Sequence, residues 1–237
     1  MKHLIDLVML SYNRWEYTMM TLESLLHTPA GIDWSHVNFV ILDNASADGA
    51  VDRIRSFMVR NPDVVTKLKV RKRNAGVVGG FEDFRFTLTT GAPFIGKIDN
   101  DSIFTHGWLG KMLNALTTCP KLGVVGAQSP GLGHSILDPK GRTAVKRNGM
   151  GYFPAKFVGG RFLARREVFG PKRMRGRNKL FGWGDYQKRI KGWKVGWCYP
   201  PAIIDHVGDR NFKHPKAIDN VKYRRYMKHV GRLPTCR

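Results

Sequence analysis

Apolar runs of strand length recur through the first hundred residues, and each closes on polar residues. Leu4–Leu10 is interrupted only by Asp6, and Val37–Leu42 only by Asn38. Short apolar runs bounded by turn residues predict buried strands. Between them, Trp15–His27 places Thr18, Leu22, Leu25 and Leu26 on one face and predicts a helix. Val51–Val59, opened by "NASADG", predicts a second helix. Lys67–Arg71 reads as a weaker strand, Phe81–Thr90 as a third helix and Pro93–Ile98 as a fourth strand. Strand and helix alternating three times predict an α/β fold on a parallel sheet. Such sheets bind ligands at the carboxyl ends of their strands. Four polar tips fall there: "SYNR" (11–14), "DNASADG" (43–49), "RNAGVVGG" (73–80) and "DND" (99–101).

Beyond residue 107 the pattern loosens. Trp108–Leu116 predicts a helix and residues 122–128 a strand. Residues 129–149 are rich in Gly, Pro and basic residues and read as a loop. Tyr152–Phe162 and Lys194–Pro200 read as strands, with a helix over Asp185–Lys191 between them. Ala217–Val230 reads as a basic helix.

Charge changes the picture more than composition does. Of 237 residues, 40 are Lys or Arg and 18 are Asp or Glu, a net charge of +22. Residues 1–139 carry 14 basic and 13 acidic residues, and residues 140–237 carry 26 and 5. That asymmetry points to a polyanion meeting the second half. Cys119, Cys198 and Cys236 lie far apart, with no paired-cysteine or Cys/His spacing, so neither a zinc site nor a disulfide framework is readable. The opening "MKHLIDLVML" is short and broken by Asp6, which reads as a strand rather than a signal peptide. No run approaches the ~20 apolar residues of a membrane span. The expected location is the cytoplasm.

The candidate chemistry begins at Asp99 and Asp101. Period-two alternation along an extended chain would set both carboxylates on one side. Two adjacent carboxylates repel unless a cation neutralises them. A hard divalent ion, Mg²⁺ or Mn²⁺, would do so and would also hold a diphosphate. A polar turn or a helix cap is the plainer reading of an isolated Asp-x-Asp, since the pattern is common.

Taken together, the segments "SYNR", "DNASADG", "RNAGVVGGF" and "KIDND" resemble, in order and spacing, the nucleotide-sugar half of GT-A-fold family 2 glycosyltransferases. The resemblance covers about residues 4–110. It implies donor-binding roles for Ser11, Asn13, Asp43, Arg73, Asn74, Gly76 and Asp99, and a metal at Asp99 and Asp101. In the second half, "FVGGRFLARREVF" (157–169) resembles the Gly-rich strand and Arg-rich turn before the acceptor-side helix. "LFGWGDYQKRI" (180–190) resembles the segment that supplies the catalytic base of inverting members, which makes Asp185 the candidate base. Many members have Glu-Asp where this chain has Gly184-Asp185. A helix N-cap is the plainer reading of Asp185. His206, about twenty residues later, matches a late metal-ligating His, with Asp205 and Asp209 in reserve.

The resemblance implies one GT-A (Rossmann-like) α/β domain with a mostly parallel central sheet. Residues 1–110 form the nucleotide-sugar half, 111–208 the acceptor half and 209–237 a basic tail. The expected reaction is metal-dependent transfer from a nucleotide diphosphate-sugar, UDP-sugar first, to a hydroxyl acceptor, with inversion. The charge favours nucleic acid as acceptor, through a hydroxylated base in DNA. The phosphate-contacting candidates are Lys146, Arg147, Arg161, Arg165, Arg166, Arg173, Arg175, Arg177, Lys222, Arg224 and Arg225. The alternatives are a glycan or lipid acceptor at an anionic membrane, and an inactive domain that binds polyanions.

Overall fold

The computed structural model describes residues 2–128, 143–171, 187 and 190–206. The first half alternates as expected: β1 (Ile5–Ser11), α1 (Trp15–His27), β2 (Val37–Asp43), α2 (Ala50–Arg60), β3 (Lys67–Val70), α3 (Gly76–Thr87) and β4 (Phe94–Asp99). Then come β5 (Ser102–Phe104), α4 (Trp108–Thr118), β6 (Leu122–Gly126), β7 (Val145–Arg147), β8 (Met150–Pro154), β9 (Phe162–Arg165), β10 (Lys194–Tyr199) and β11 (Ile204–His206).

Among the described residues nine strands form one sheet in the order β3-β2-β1-β4-β9-β6-β10-β8-β7, and β11 pairs with β5 in a second, small sheet. The pairs β3–β2, β2–β1 and β1–β4 are parallel. In the second half the order becomes mixed. β9 runs antiparallel between β4 and β6, β10 is parallel to β6, and β8 and β7 close the far edge antiparallel. The β9 insertion joins both halves of the chain in one sheet. Both outer strands are short and basic: β3 reads KLKV and β7 reads VKR.

Alternation along β1 divides the core into two layers. Ile5, Leu7 and Met9 pack with Leu22 and Leu25 of α1, Ile54 and Phe57 of α2, and Trp108 and Met112 of α4. Val8 and Leu10 face the other way, toward Phe81 and Phe84 of α3 and toward Phe162 and Phe169. All of these are buried. Truncating a Phe of this kind to Ala costs about 3–5 kcal/mol.

Several elements differ from the sequence reading, which places no strand at β5 or β11. Helix α3 begins at Gly76, five residues early, because Asn74 Oδ1 accepts from the Gly76 amide at 2.7 Å and starts the turn. The single strand expected over Tyr152–Phe162 is two strands, β8 and β9. They are not neighbours, since β6 and β10 lie between them. The basic loop contains β7, joined to β8 by Asn148-Gly149 with φ of 50° and 75°. That is the two-residue Asn-Gly hairpin turn, whose twist matches the flanking strands. The helix expected over Asp185–Lys191, apart from Gln187 and the last two residues, the helix over Ala217–Val230 and the tail 209–237 lie outside the described residues.

Candidate active site

The parallel register lines up the strand tips: Ser11 of β1 opposes Asp43 of β2, and Leu10 opposes Asp99 of β4. Ser11 is buried, with its hydroxyl 3.4 Å from Thr18 Oγ1. Asn13 sits at φ 52° and ties the first two tips together. Its amide donates to Ser46 Oγ (2.7 Å), and its Oδ1 accepts from the Ala47 amide (2.9 Å). Asp43 is fully buried and accepts from the amide (2.8 Å) and hydroxyl of Ser46. Asp48 in the same loop accepts from the Trp15 and Ala50 amides and so braces the starts of α1 and α2.

The third tip is more open. Arg73 and Asn74 are exposed, and Gly76 has φ +70°, a conformation strained for any L side chain. Asn44 Nδ2 donates to the Gly76 carbonyl at 3.4 Å and joins this tip to β2. Its Oδ1 is buried with no hydrogen-bond partner.

The fourth tip holds the two carboxylates. Asn100 and Asp101 form a turn, so the chain leaves the sheet after Asp99 instead of running on extended. The alternation argument for a shared side therefore stops at Asp99, and the turn determines where Asp101 goes. Asp99 is ion-paired with Lys97, whose side chain is 1% exposed and whose Nζ also donates to the Gly160 carbonyl at 3.2 Å. A Cβ on Gly160 would stand 2.9 Å from Asp99 Oδ2, so only glycine leaves room there. Asp101 is buried and accepts from Arg14 Nη1 at 3.1 Å. Arg14 has φ 60° and lies over the Tyr17 ring at 4.4 Å. Helix α1 then fastens the chain after the turn. Thr18 Oγ1 accepts from Asn100 Nδ2, Thr21 Oγ1 from the Ser102 amide and Ser24 Oγ from the Phe104 amide, each at 2.9 Å. Spacings of three along a helix give that stripe one face.

On its other edge β5 pairs with β11, and His206 opposes Ser102, the residue after Asp101. The backbone thus brings three separated parts of the chain to one place: the β4 tip, the loop before β9 and the end of β11. Asp185 lies outside the described residues. Sequence reasoning missed Lys97, Asn44, Ser46 and the cation role of Arg14. A lysine two residues before an acid on a buried strand was the available signal for Lys97.

Some of the basic residues assigned to an acceptor are used inside the protein. Arg166 is ion-paired with buried Asp6 and donates to the Ala92 carbonyl. Arg165 donates to the Leu116 and Leu122 carbonyls. Arg161 is buried. These three are withdrawn as contacts to an external phosphate chain. Lys146 and Arg147 are exposed.

Two other features do not compete for the chemistry. A cavity of about 750 Å³ is lined by Thr143, Pro154, Lys156, Gln187, Trp193 and Lys194, among others. It opens at the amino end of β10, away from the tips. Burial pushes the Cys198 thiol up to about 12, so at neutral pH this cysteine is packing and not a nucleophile. Among the described residues, no group of three or more His, Cys, Asp or Glu side chains is placed to hold a metal, and no helix is long and apolar enough to cross a membrane.

Comparisons with known proteins agree with this fold. The mannosyltransferase PcManGT from Pyrobaculum calidifontis, in complex with GDP-Man and Mn²⁺, superposes with a TM-score of 0.62 at 16% identity, over 89% of this chain and 59% of that one. S. aureus TarS 1-349 in complex with UDP-GlcNAc gives a TM-score of 0.62 at 12% identity, over 97% and 65%. GalNAc-T7 with UDP, GalNAc and Mn²⁺ gives 0.59 at 11%, over 86% and 44%. The chain thus spans less than two thirds of each of these proteins. No curated protein sequence matches it. Residues 6–195, most of the chain, match the sequence model of glycosyl transferase family 2, and this chain belongs to that family.

Proposed function

We propose that the protein transfers a sugar from a nucleoside diphosphate-sugar, UDP-sugar first, to a hydroxyl on a polyanionic acceptor, with inversion at the anomeric carbon. The observation that carries the donor half is the β4 tip. Asp99 and Asp101 are each already neutralised by a cation, Lys97 or Arg14. Carboxylates held in that way suit a site where positive charge belongs.

By residue type, these side chains would suit a divalent cation. Asp99, Asp101 and His206 offer two hard oxygen donors and an imidazole, a set that suits Mn²⁺ or Mg²⁺. Register puts the His206 backbone beside Ser102. When bound, such a cation would offset the charge that gathers on the departing diphosphate.

The chain's own residues do the rest. Asp43, fixed by Ser46 at the β2 tip, receives the nucleoside, with Ser11, Asn13, Arg73, Asn74 and Gly76 shaping the pocket around it. An oxygen of the acceptor forms a bond to the anomeric carbon. The bond from that carbon to the diphosphate oxygen breaks, and its electron pair leaves with the diphosphate. The hydroxyl proton passes to Asp185. Residues 1–110 handle the donor and 111–208 the acceptor.

The acceptor reading rests on the basic excess of residues 140–237. Among the described residues the exposed basic side chains there include Lys146, Arg147, Lys156, Lys191 and Lys194, beside exposed Phe157. Nucleic acid with a hydroxylated base is the first acceptor to test. Purified protein with Mn²⁺ is offered a panel of nucleotide-sugars against hydroxylated DNA, plain DNA and glycans, and release of nucleoside diphosphate is followed. Turnover dependent on hydroxylated DNA is the expected result. Turnover only with glycans or lipid-linked acceptors transfers the reading to those. No turnover or hydrolysis with any donor leaves a binding module.

A further inference from the structure

Six charged side chains are buried among the described residues: Asp6, Asp43, Glu82, Lys97, Asp101 and Arg161. Five have partners within the protein. Asp6 has Arg166, Asn38 and Thr90; Asp43 has Ser46; Glu82 has Arg85; Lys97 has Asp99; and Asp101 has Arg14. Arg161 has none. It is 4% exposed, and its Nε and Nη1 are buried without a hydrogen-bond partner. A guanidinium is charged at any ordinary pH and carries five N–H donors. Burying it unpaired costs several kcal/mol, so an anion that arrives later is the natural compensation.

We infer that Arg161 is a preformed cation for the diphosphate of the donor. The inference rests on the nucleotide-sugar reading above. Position supports it. Arg161 follows Gly160, whose Cα stands against the Asp99 carboxylate and whose carbonyl accepts from Lys97. Its own carbonyl accepts from the Ala127 amide at 3.0 Å, so the backbone just before β9 is tied to the residue that follows β6. The side chain therefore starts one residue from the metal-proposed carboxylates. Its burial decides which anion it meets. The phosphates of a polymer lie along an outer groove and need exposed cations, whereas a small diphosphate entering between the strand tips can reach a sheltered one. Arg161 neither gives nor takes a proton. It donates hydrogen bonds that strengthen as charge builds on the leaving diphosphate.

The test compares wild type, Arg161→Met and Arg161→Lys as full chains. Each is titrated calorimetrically with a panel of nucleoside diphosphates and the matching monophosphates, in Mn²⁺ and in EDTA, and each is melted without ligand. For the Met variant the expected result is an about 10- to 100-fold loss for the diphosphate, a far smaller loss for the monophosphate, and a ligand-free melting temperature at or above wild type. The Lys variant should fall between. A folded Met variant that binds diphosphate within about threefold of wild type overturns the inference, because a charged hydrogen bond is worth more than that. So does a Met variant that melts well below wild type, which makes Arg161 a structural residue. Wild type that binds no nucleoside diphosphate overturns the donor reading itself, and this inference with it.

Discussion

The β2 tip and the β4 tip end the two strands that flank β1 in one sheet, and both carry buried acid, yet they are neutralised in different ways. Asp43 is held by neutral donors from its own loop, three residues away. Asp99 and Asp101 are held by full cations, one of them Arg14, 87 residues away in sequence. Hydrogen bonds from a neighbouring amide and hydroxyl fix an acid's position and leave its charge in place. A cation removes the charge at short range. The β2 tip is therefore finished by its own loop, whereas under the proposed function the β4 tip is the one that undergoes an exchange of partners.

The largest expected effect follows from that exchange. Asp101→Ala removes a carboxylate and almost no core volume, so the fold should persist while turnover falls about 100- to 1000-fold. Steady-state rates and a melting curve check this, and turnover within about twofold of wild type would remove Asp101 from the site. Next comes Lys97→Met, which leaves Asp99 without its nearest cation. The expected loss is about 2 kcal/mol, below the full buried-pair range because the Asp99 side chain keeps 28% exposure. Adding Asp99→Asn should recover part of that loss, and a denaturant double-mutant cycle reads the coupling. Equal and additive losses would make the pair incidental.

The smaller effects refine the contrast. Ser46→Ala should cost about 1 kcal/mol and weaken nucleotide binding, by freeing Asp43 from its hydroxyl donor. Urea midpoints and a nucleotide titration measure both. Arg14→Gln should change stability little, since the Arg14 side chain is 42% exposed. It should tighten Mn²⁺ binding in the absence of donor, read as loss of the free-ion electron paramagnetic resonance signal. Weaker Mn²⁺ binding in this variant would mean that Arg14 supports the carboxylate rather than competing for it.

Much of the first half was legible because its chemistry is local. Helix α1 spans the residues that periodicity gives, and β2 and β4 fall within one residue of their apolar runs. The tips were legible for the same reason, since a strand end and its polar closure are contiguous. What was not legible depends on residues far apart. β9 enters between β4 and β6 by pairings that no local pattern encodes. Arg165 and Arg166 read as surface charge in a basic tract, yet they reach carbonyls and an acid from other elements. The Asn148-Gly149 turn was readable from its dipeptide and was obscured by the charge around it.

The two outer strands of the main sheet bear on how copies of this protein meet. An open strand edge is a template on which another chain can add hydrogen bonds. Here one edge ends in four residues with lysines at 67 and 69, and the other in three residues carrying Lys146 and Arg147. Two copies approaching edge to edge would bring like charges together over a ladder too short to compensate for the repulsion. Self-association by sheet extension is thereby disfavoured, and the net charge of +22 works in the same direction, keeping copies of the protein apart.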